Sequence, residues 1–341
     1  MHKVLITGGA GFIGSSFVRL LLDEVPACKV VNFDNLTYAG NLDNLAGLDD
    51  AHHRFVRGDI ANRDEVLAAL ELETDAVINF AAESHVDRSI ASADEFIRTN
   101  VLGTQVLLDA ARERRVKRFV QISTDEVMGS LSEDENGFFT EESPFAPNSP
   151  YAASKAAAEH LVRAAHHTFG LDVVITRCGN NYGPRQFPEK FLPLIVANAT
   201  NDEPIPVYGD GLNIRDWIYV DDHCRAILAI LEKGKAGGVY NIGARNQRRN
   251  IEVVKSVLDA LEKPHSLLRF VKDRPGHDRR YAIDPSLIEN DLGWRPRETW
   301  ESGLRKTIEW YGTNSEWVDR ARSGAYRDFY AQQYGVEVGA Q

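Results

Sequence analysis

The feature that most constrains the fold is a glycine-rich stretch close to the amino terminus. Residues 3–7 form a short apolar run, and glycines follow at positions 8, 11 and 14. A helical pattern then runs from Ser15 to Leu22. Glycines at this spacing between a strand and a helix permit a tight turn, close packing, and close approach of a pyrophosphate to the backbone. We therefore predict a dinucleotide site with the pyrophosphate at the helix N-terminus.

Strand and helix patterns then alternate along the first half of the chain. Five further strands are predicted, at residues 29–33, 54–57, 76–80, 117–123 and 172–177. Helical patterns lie at residues 62–72 and 93–115. This alternation predicts an α/β fold, a Rossmann-type doubly wound parallel sheet that binds ligands at the carboxyl ends of its strands.

The alternation loosens beyond Pro184, which indicates a second, smaller lobe. We predict an NAD-binding Rossmann domain over residues 1–178. Residues 179–330 would mainly form a C-terminal substrate-binding lobe, interlocked with the first, and the substrate would lie in the cleft between them.

Composition excludes several classes of function. The 341 residues include 43% hydrophobic and 26% charged residues, as in ordinary globular proteins. A net charge of -11 argues against a nucleic-acid partner held by phosphate neutralisation. Three widely separated cysteines favour a reducing cytosol over a disulfide framework, and no pair of them has the spacing of metal ligands. We see no signal peptide and no run of membrane-spanning length, so we expect a cytoplasmic protein without a metal or membrane partner.

Residues that end the second, third and fourth strands are candidates for cofactor binding. Asp34 lies 20 residues beyond Gly14, where an acidic side chain would hold the adenosine ribose hydroxyls. A carboxylate there repels a 2′-phosphate, which favours NAD over NADP. The alternative is a turn-forming aspartate in Asp34-Asn35. Asp59 could meet the adenine amino group, and the small residues of Ala81-Ala82 let a cofactor lie against the backbone.

Tyr151 and Lys155 lie four residues apart, on one face of a predicted helix. A free phenol has a pKa of about 10. A neighbouring ammonium group favours phenolate and lowers this pKa. Such a tyrosine can take a proton from an alcohol while a cofactor takes the hydride. The spacing by itself favours a surface tyrosine and lysine on an amphipathic helix, because Tyr-x-x-x-Lys often arises by chance.

Thr124-Asp125-Glu126 directly ends the fifth predicted strand. Two adjacent carboxylates are costly if both are buried and charged, so their pKa values should separate into one protonated acid and one ionised base. A solvated acidic turn is the alternative. The position at the end of an apolar strand favours the acid–base pair.

Five segments together resemble the extended short-chain dehydrogenase/reductases and, more narrowly, the dTDP-glucose 4,6-dehydratases. The segments are Gly8–Gly14, Ala81–Ser89, Ser123–Val127, Tyr151–Lys155 and Asn180–Pro184. The resemblance extends to about Tyr311. Its specific part is the Thr-Asp-Glu triplet, because sugar-nucleotide epimerases share the glycine loop and the Tyr/Lys pair but do not usually carry both acids.

The resemblance implies conversion of dTDP-glucose to dTDP-4-keto-6-deoxyglucose with NAD as a recycled hydride carrier. Tyr151 would remove the C4 hydroxyl proton, and Lys155 would stabilise the phenolate and hold the nicotinamide ribose. Glu126 would remove the C5 proton, protonated Asp125 would donate to the departing C6 hydroxyl, and Thr124 would hydrogen-bond the C4 oxygen. A homodimer built on helices around 93–115 and 151–169 is also implied.

The resemblance also implies two sets of binding residues. The residues expected at the cofactor are Gly8, Gly11, Phe12, Ile13, Gly14, Asp34, Asn35, Leu36, Thr37, Asp59, Ile60, Phe80, Ala81, Ala82, Ser84, Thr99, Tyr151, Lys155 and Asn181. Those expected at the nucleotide sugar are Ser84, Thr124, Asn180, Lys190, Phe191, Pro206, Val207, Tyr208, Arg215, Asn250, Asp273, Arg274 and His277.

Two residues depart from the family pattern. Met128 stands where a tyrosine is common, and Arg185 stands where an aromatic residue is usual. These departures leave the substrate open, with UDP-glucose and UDP-N-acetylglucosamine as alternatives. A nucleotide-sugar 4-epimerase is the rival enzyme, and a non-catalytic NAD-binding regulator is the rival from another class.

Overall fold

The computed structural model of the chain describes residues 1–133 and 137–323. Its strands are β1 Lys3–Thr7, β2 Lys29–Asp34, β3 His53–Arg57, β4 Ala76–Asn79, β5 Arg118–Thr124, β6 Val173–Cys178, β7 Asn180–Tyr182, β8 Ile205–Tyr208, β9 Ile214–Tyr219, β10 Val239–Ile242, β11 Gln247–Arg249 and β12 Leu268–Val271. Its helices are α1 Phe12–Glu24, α2 Arg63–Ala69, α3 Val86–Ala91, α4 Asp94–Phe96, α5 Thr104–Glu113, α6 Pro150–Phe169, α7 Phe191–Thr200, α8 Val220–Lys233, α9 Asn250–Ala260, α10 Ser286–Leu292, α11 Trp300–Thr313 and α12 Ser315–Ala321.

The main sheet has seven strands in the order β10-β6-β5-β4-β1-β2-β3. Every neighbouring pair in it is parallel. The chain order reverses between β1 and β4, and a doubly wound sheet binds its ligands outside the carboxyl ends of the strands at such a point. The predicted fold class is therefore confirmed. The six strands expected up to residue 177 are all present, with ends within two residues of the prediction.

Helices cover both faces of this sheet. On one face, α1 packs against α8, and Phe17 and Leu21 share a buried cluster with Ile227 and Ile230. On the other face, α2, α5 and α6 form a second cluster with the sheet. The helix predicted over residues 93–115 is present as α4, a π-helical segment Ile97–Gly103, and α5. Parallel strands buried on both faces read as continuous apolar runs, which is why the pattern located them.

Helix α6 carries the predicted Tyr/Lys pair, and its local sequence determines where it begins and ends. The Ser149 side chain accepts a hydrogen bond from the Ala152 N–H at 3.1 Å, and Pro150 occupies the first helical position. Gly170 ends the helix in the left-handed conformation, at φ +68°. These caps place Tyr151 in the first turn, beside the carboxyl end of β5.

The second half of the chain contributes to both lobes. Strands β7, β9 and β11 form one small sheet, β8 and β12 form another, and an aromatic core that includes Tyr182, Trp217 and Trp300 packs beside them. In contrast, β10 pairs with β6 in the main sheet, and α8 packs on α1. The division at residue 178 stays a prediction, and the predicted end of the lobe at residue 330 lies outside the described residues.

The described part of the chain contains neither a membrane-spanning helix nor a metal-binding cluster. Within residues 1–133 and 137–323, no helix combines the length and apolarity needed to cross a membrane. The same residues contain no group of three or more His, Cys, Asp or Glu side chains that could hold a metal ion.

Candidate active site

A cleft of about 330 Å³ opens at the carboxyl ends of the main strands. Its walls are the glycine loop after β1, the segments that follow β2, β4 and β5, and the first turns of α6. All five predicted catalytic residues line it: Thr124, Asp125, Glu126, Tyr151 and Lys155. Parallel strands deliver these residues to one edge although they are distant in sequence from the glycine loop.

The glycine loop is shaped by close backbone contacts. A Cβ at Gly8, which has φ +67°, would lie 2.6 Å from the Ala81 nitrogen, and a Cβ at Gly14 would lie 2.3 Å from the Gly8 oxygen. Packing alone therefore requires glycine at both positions. A Cβ at Gly11 would lie 3.3 Å from the Gly8 oxygen. Among the described residues, and apart from its two chain neighbours, it would meet no other atom within 4 Å. The remaining space around Gly11 is open to the cleft.

The first turn of α1 adds hydrogen-bond donors to this loop. No side chain caps the helix at Gly11, and its first turn carries no acidic residue. Its backbone N–H groups and the positive end of the helix dipole therefore remain able to bind an anion. The loop and the helix together fit the pyrophosphate of a dinucleotide.

Asp34 connects the end of β2 to the glycine loop. Its two oxygens accept hydrogen bonds from the Ala10 N–H at 2.9 Å and the Leu36 N–H at 2.8 Å. Burial raises the pKa of this carboxyl group, while both hydrogen bonds oppose the rise. Asp34 also lines the cleft. It therefore orders the turn, as in the alternative interpretation, and still presents its carboxylate to a ligand.

The acid pair lies in a short 3₁₀ turn, Asp125–Met128, directly after β5. Asp125 is 2% exposed, and its Oδ1 accepts a hydrogen bond from Thr124 at 3.3 Å. Burial raises the pKa of Asp125 well above its ordinary value, and the neighbouring Glu126 raises it further. Burial also raises the pKa of Glu126, but Arg274 and Arg215 oppose that rise. The two environments differ: the neighbouring carboxylate adds to the rise at Asp125, whereas two arginines oppose the rise at Glu126.

Tyr151 and Lys155 are both buried, at 9% and 4% exposure. The Lys155 ammonium donates a hydrogen bond to the Ile122 carbonyl at 2.6 Å. Burial lowers the pKa of Lys155 to about 8, against the opposing influence of Glu159. Burial raises the pKa of Tyr151 well above its ordinary value, and Glu126 and Cys178 add to the rise. This differs from the expected lowering because desolvation, which disfavours phenolate, outweighs the other influences on Tyr151 in the protein.

Asn181 is oriented by a histidine that sequence reasoning missed. The Asn181 Oδ1 and the His223 Nδ1 are 2.9 Å apart, and the Asn181 amide donates to the Gly179 carbonyl at 3.2 Å. Burial lowers the pKa of His223 to about 3, so the ring is neutral and donates to Asn181. The two residues are 42 positions apart and meet because α8 packs beside β7, so no local pattern could have found the contact.

Most of the residues predicted at the cofactor line this cleft. They are Gly8, Gly11, Phe12, Ile13, Gly14, Asp34, Asn35, Thr37, Asp59, Ile60, Phe80, Ala81, Ala82, Ser84, Thr99, Tyr151, Lys155 and Asn181. Leu36 does not line it and contributes its backbone N–H to Asp34 instead. Glu83, Cys178, Gln186 and Phe187 line the cleft without having been predicted.

The residues predicted at the substrate fall into two groups. Ser84, Thr124, Asn180 and Lys190 line the cleft, and the Lys190 ammonium donates to the Ser84 carbonyl at 2.8 Å. The others do not line it: Phe191, Pro206, Val207, Tyr208, Arg215, Asn250, Asp273, Arg274 and His277.

Part of this second group forms a polar cluster close to the acid pair. Asp87 accepts a hydrogen bond from the Tyr208 hydroxyl at 3.1 Å and lies 3.6 Å from the Arg274 guanidinium. His277 contacts Asp273 at 2.6 Å. The Val207 side chain, in contrast, is fully buried in an apolar cluster, which leaves it no surface for a polar ligand.

The two departures from the family pattern both lie away from the cleft lining. Met128 is buried in an apolar cluster with Phe139 and Tyr281. Arg185 lines a separate cavity, with its guanidinium 5.6 Å from the centre of the Trp310 ring. Neither side chain lines the cleft that holds the acid pair.

Comparison with known proteins agrees with the geometry. The model of the family described as GDP-mannose 4,6 dehydratase matches residues 5–307. A dTDP-glucose 4,6-dehydratase of Xanthomonas campestris pv. campestris (strain B100) is 52% identical, over 96% of this chain and 98% of that protein. The dTDP-glucose 4,6-dehydratase 1 of Escherichia coli (strain K12) is 48% identical, over 97% and 99%.

Solved structures show the same relationship. The dTDP-glucose 4,6-dehydratase DesIV of Streptomyces venezuelae, solved with NAD bound, has a TM-score of 0.91 at 50% identity and covers 94% of this chain and 99% of that one. A UDP-glucose 4-epimerase of Thermus thermophilus has a TM-score of 0.84 at 31% identity, over 92% and 99%. The chain therefore belongs to the extended short-chain dehydrogenase/reductases, in the family described as GDP-mannose 4,6 dehydratase and among its dTDP-glucose 4,6-dehydratases.

Proposed function

We propose that this protein is a lyase that converts dTDP-glucose to dTDP-4-keto-6-deoxyglucose and water. The observation that carries the proposal is a single cleft in which an acid pair, buried Asp125 and half-buried Glu126, lies with Tyr151, Lys155 and a glycine-rich loop. The loop and the Tyr/Lys pair suit oxidation and reduction of an alcohol. The acid pair suits loss of water from the carbon next to the one that gives up a proton.

The cofactor is NAD, and the chain offers a complete set of groups to hold it. The glycine loop and the first turn of α1 would bind the pyrophosphate, Asp34 the adenosine ribose, and Lys155 the nicotinamide ribose. When bound, NAD supplies a hydride acceptor for C4 of the sugar and, later, a hydride donor for C6.

Tyr151 acts first, as the base that removes the proton of the C4 hydroxyl. In the protein alone its pKa is raised by burial, so the positive charge of Lys155, one helical turn away, is needed to favour the phenolate. Thr124 hydrogen-bonds the C4 oxygen. The product of this half-reaction is a ketone at C4 of the sugar.

The acid pair then acts on the neighbouring carbons. A ketone at C4 acidifies the C5 proton, and Glu126 removes it. After the C6 hydroxyl has left and C6 has gained the hydride, Glu126 returns a proton to C5. Asp125, whose pKa burial raises well above its ordinary value, holds a proton that it gives to the departing C6 hydroxyl as water. Arg274 and Arg215 favour the ionised form of Glu126, as its role as a base requires.

The rival within the superfamily is a 4-epimerase, which needs the Tyr/Lys pair but not two acids. The Thermus thermophilus epimerase has a similar backbone, so the fold does not separate the two reactions. The Asp125–Glu126 pair does, because an epimerase has no use for removal of the C5 proton or loss of the C6 hydroxyl. A non-catalytic regulator would leave the same pair without a purpose.

The proposal extends to a cytoplasmic homodimer. Ile97 and Leu102, in the π-helical segment before α5, are 51% and 50% exposed. This segment packs on α6, so apolar side chains lie beside the helices implied as the dimer interface. The cysteines Cys28, Cys178 and Cys224 are free and buried, which suits a reducing compartment.

The first prediction concerns the path of the hydride. dTDP-glucose deuterated at C4 should give dTDP-4-keto-6-deoxyglucose with deuterium at C6, read by mass spectrometry and NMR. UDP-glucose and UDP-N-acetylglucosamine, tested in parallel, should give less product. Loss of the deuterium to solvent, or its retention at C4, would reject the proposed reaction.

The second prediction separates the two acids. D125N and E126Q should each slow formation of the deoxysugar by about 10²–10⁴-fold, the usual contribution of a general acid or base. Exchange of the C5 proton with deuterated water should persist in D125N, because Glu126 is intact, and should be lost in E126Q. The matched control is E142Q at an exposed position. Normal turnover by E126Q would contradict the role of Glu126.

The third prediction concerns pH. Activity should fall on the acid side as Glu126 takes up a proton, and on the alkaline side above about pH 8, as Lys155 loses its charge. In K155R the guanidinium stays charged, so the alkaline fall should move to higher pH even if the maximum rate is lower. An unchanged alkaline limb in K155R would assign that limb to another group.

The fourth prediction concerns assembly. Light scattering should give twice the chain mass of 38.1 kDa, and the double variant I97D/L102D should give the mass of one chain. L72D is the control, because Leu72 is likewise exposed, at 56%, but follows α2 and lies outside the proposed interface. A wild-type protein of single-chain mass would contradict the homodimer.

A further inference from the structure

A buried carboxylate lies one helical turn after Lys155 on α6. Glu159 is 2% exposed, and its side chain accepts hydrogen bonds from two other elements. The Ser123 hydroxyl, on β5, donates to Oε1 at 2.6 Å. The Arg177 guanidinium, on β6, donates to Oε2 at 2.8 Å and 3.0 Å and to Oε1 at 3.2 Å. Such bidentate pairing fixes the carboxylate in both position and orientation.

These hydrogen bonds connect the two halves of the proposed catalytic machinery. Ser123 is the residue directly before Thr124, where the acid-pair segment begins, and Glu159 follows Lys155 on the same helical face. Glu159 therefore holds the helix that carries Tyr151 and Lys155 against the strand that carries the acid pair. Arg177 adds the next strand to this connection.

Glu159 also supplies negative charge close to a buried ammonium group. The hydrogen-bond acceptor of Lys155 is the neutral carbonyl of Ile122, which cannot offset the cost of burying a charge. Glu159 is the leading influence that favours the charged form of Lys155, and Cys178 is the other. Burial raises the pKa of the Cys178 thiol to about 12, so this thiol stays neutral near pH 7.

Other titratable groups line the cleft together with Lys155. They are Tyr151 on the same helix, Cys178 on β6, and Asp125 and Glu126 on the turn after β5. Burial raises the pKa values of Asp125 and Tyr151, which favours their neutral forms, while the charge of Arg177 is paired with Glu159.

We propose that Glu159 is a positioning residue for the reaction: held by Ser123 and Arg177, it keeps the Lys155 ammonium charged and in register with the acid pair. This inference rests on the proposed roles of Tyr151 and Lys155. It assigns Glu159 no contact with substrate or cofactor.

The test compares the loss of charge with the loss of the hydrogen bond. E159Q removes the charge and keeps the shape of the side chain, so the alkaline limb of activity should move to lower pH by about one unit or more. S123A removes a hydrogen bond but keeps the negative charge of Glu159. The alkaline limb of activity in S123A should therefore stay at the wild-type pH, while kcat falls. A limb at the wild-type pH in E159Q would overturn the inference.

A second variant and a second measurement make the test independent of folding and of activity. E159Q leaves Arg177 buried without its partner, which can unfold the chain, whereas E159Q/R177M removes the whole pair and is better tolerated. In folded protein labelled with ¹³C at the lysine ε-carbons, the Lys155 signal, assigned with K155R, should titrate at lower pH in E159Q/R177M than in R177M, which lacks the same positive charge but keeps Glu159. An equal pKa in both proteins would overturn the inference.

This titration also separates the inference from the proposed function. A wild-type protein that does not convert dTDP-glucose would overturn the proposed reaction, whereas a pKa of Lys155 that is lower in E159Q/R177M than in R177M would still establish that Glu159 sustains its charge. Turnover by the wild type with no change in Lys155 would overturn the inference and leave the proposed reaction intact.

Discussion

Desolvation of ionisable side chains at one edge of a parallel sheet is the constraint on which the site depends. Burial shields Asp125, Glu126, Tyr151 and Lys155 from water there. It shifts the pKa of each group in the direction that favours its neutral form. For Asp125, Glu126 and Lys155 this shift is toward neutrality, which favours exchange of their protons with a substrate, whereas the pKa of Tyr151 moves further from neutrality. Nearby charges then adjust each group separately, as Arg274 and Arg215 do for Glu126 and Glu159 does for Lys155.

The scaffold supplies this edge through a few side chains that bond one element to another. Asp34 joins the end of β2 to the glycine loop through two backbone N–H groups. Glu159 joins α6 to β5 and β6, and His223 holds Asn181 at the start of the second lobe. These contacts satisfy polar groups that would otherwise be costly to bury. They also fix the positions of elements that line the cleft, so the same hydrogen bonds serve both stability and the site.

The first half of the chain was predictable because its structure is encoded locally. Apolar patterns in the sequence predict the strands and the helix over residues 93–115. Ser149 and Gly170 cap the two ends of α6. The five residues predicted as catalytic meet in one cleft, although their roles stay predictions. Side-chain surroundings were less predictable: Val207 is buried in an apolar core of the second lobe, Met128 lies in an apolar cluster after β5, and Arg185 lines a separate cavity. A resemblance in sequence does not say which way a side chain points.

The sequence by itself determined the features that depend on neighbouring residues: the glycine spacing, the alternation of strand and helix, the Tyr/Lys pair one helical turn apart, and two acids at the end of a strand. Tertiary structure alone decided the features that depend on elements distant in the chain. It placed β10 in the main sheet, brought His223 to Asn181, and paired Glu159 with Arg177. It also reversed the expected shift of Tyr151, whose pKa is raised rather than lowered. The reason is that burial and the distance between charges depend on which elements pack together. A local residue pattern describes only one of the two elements in such a contact.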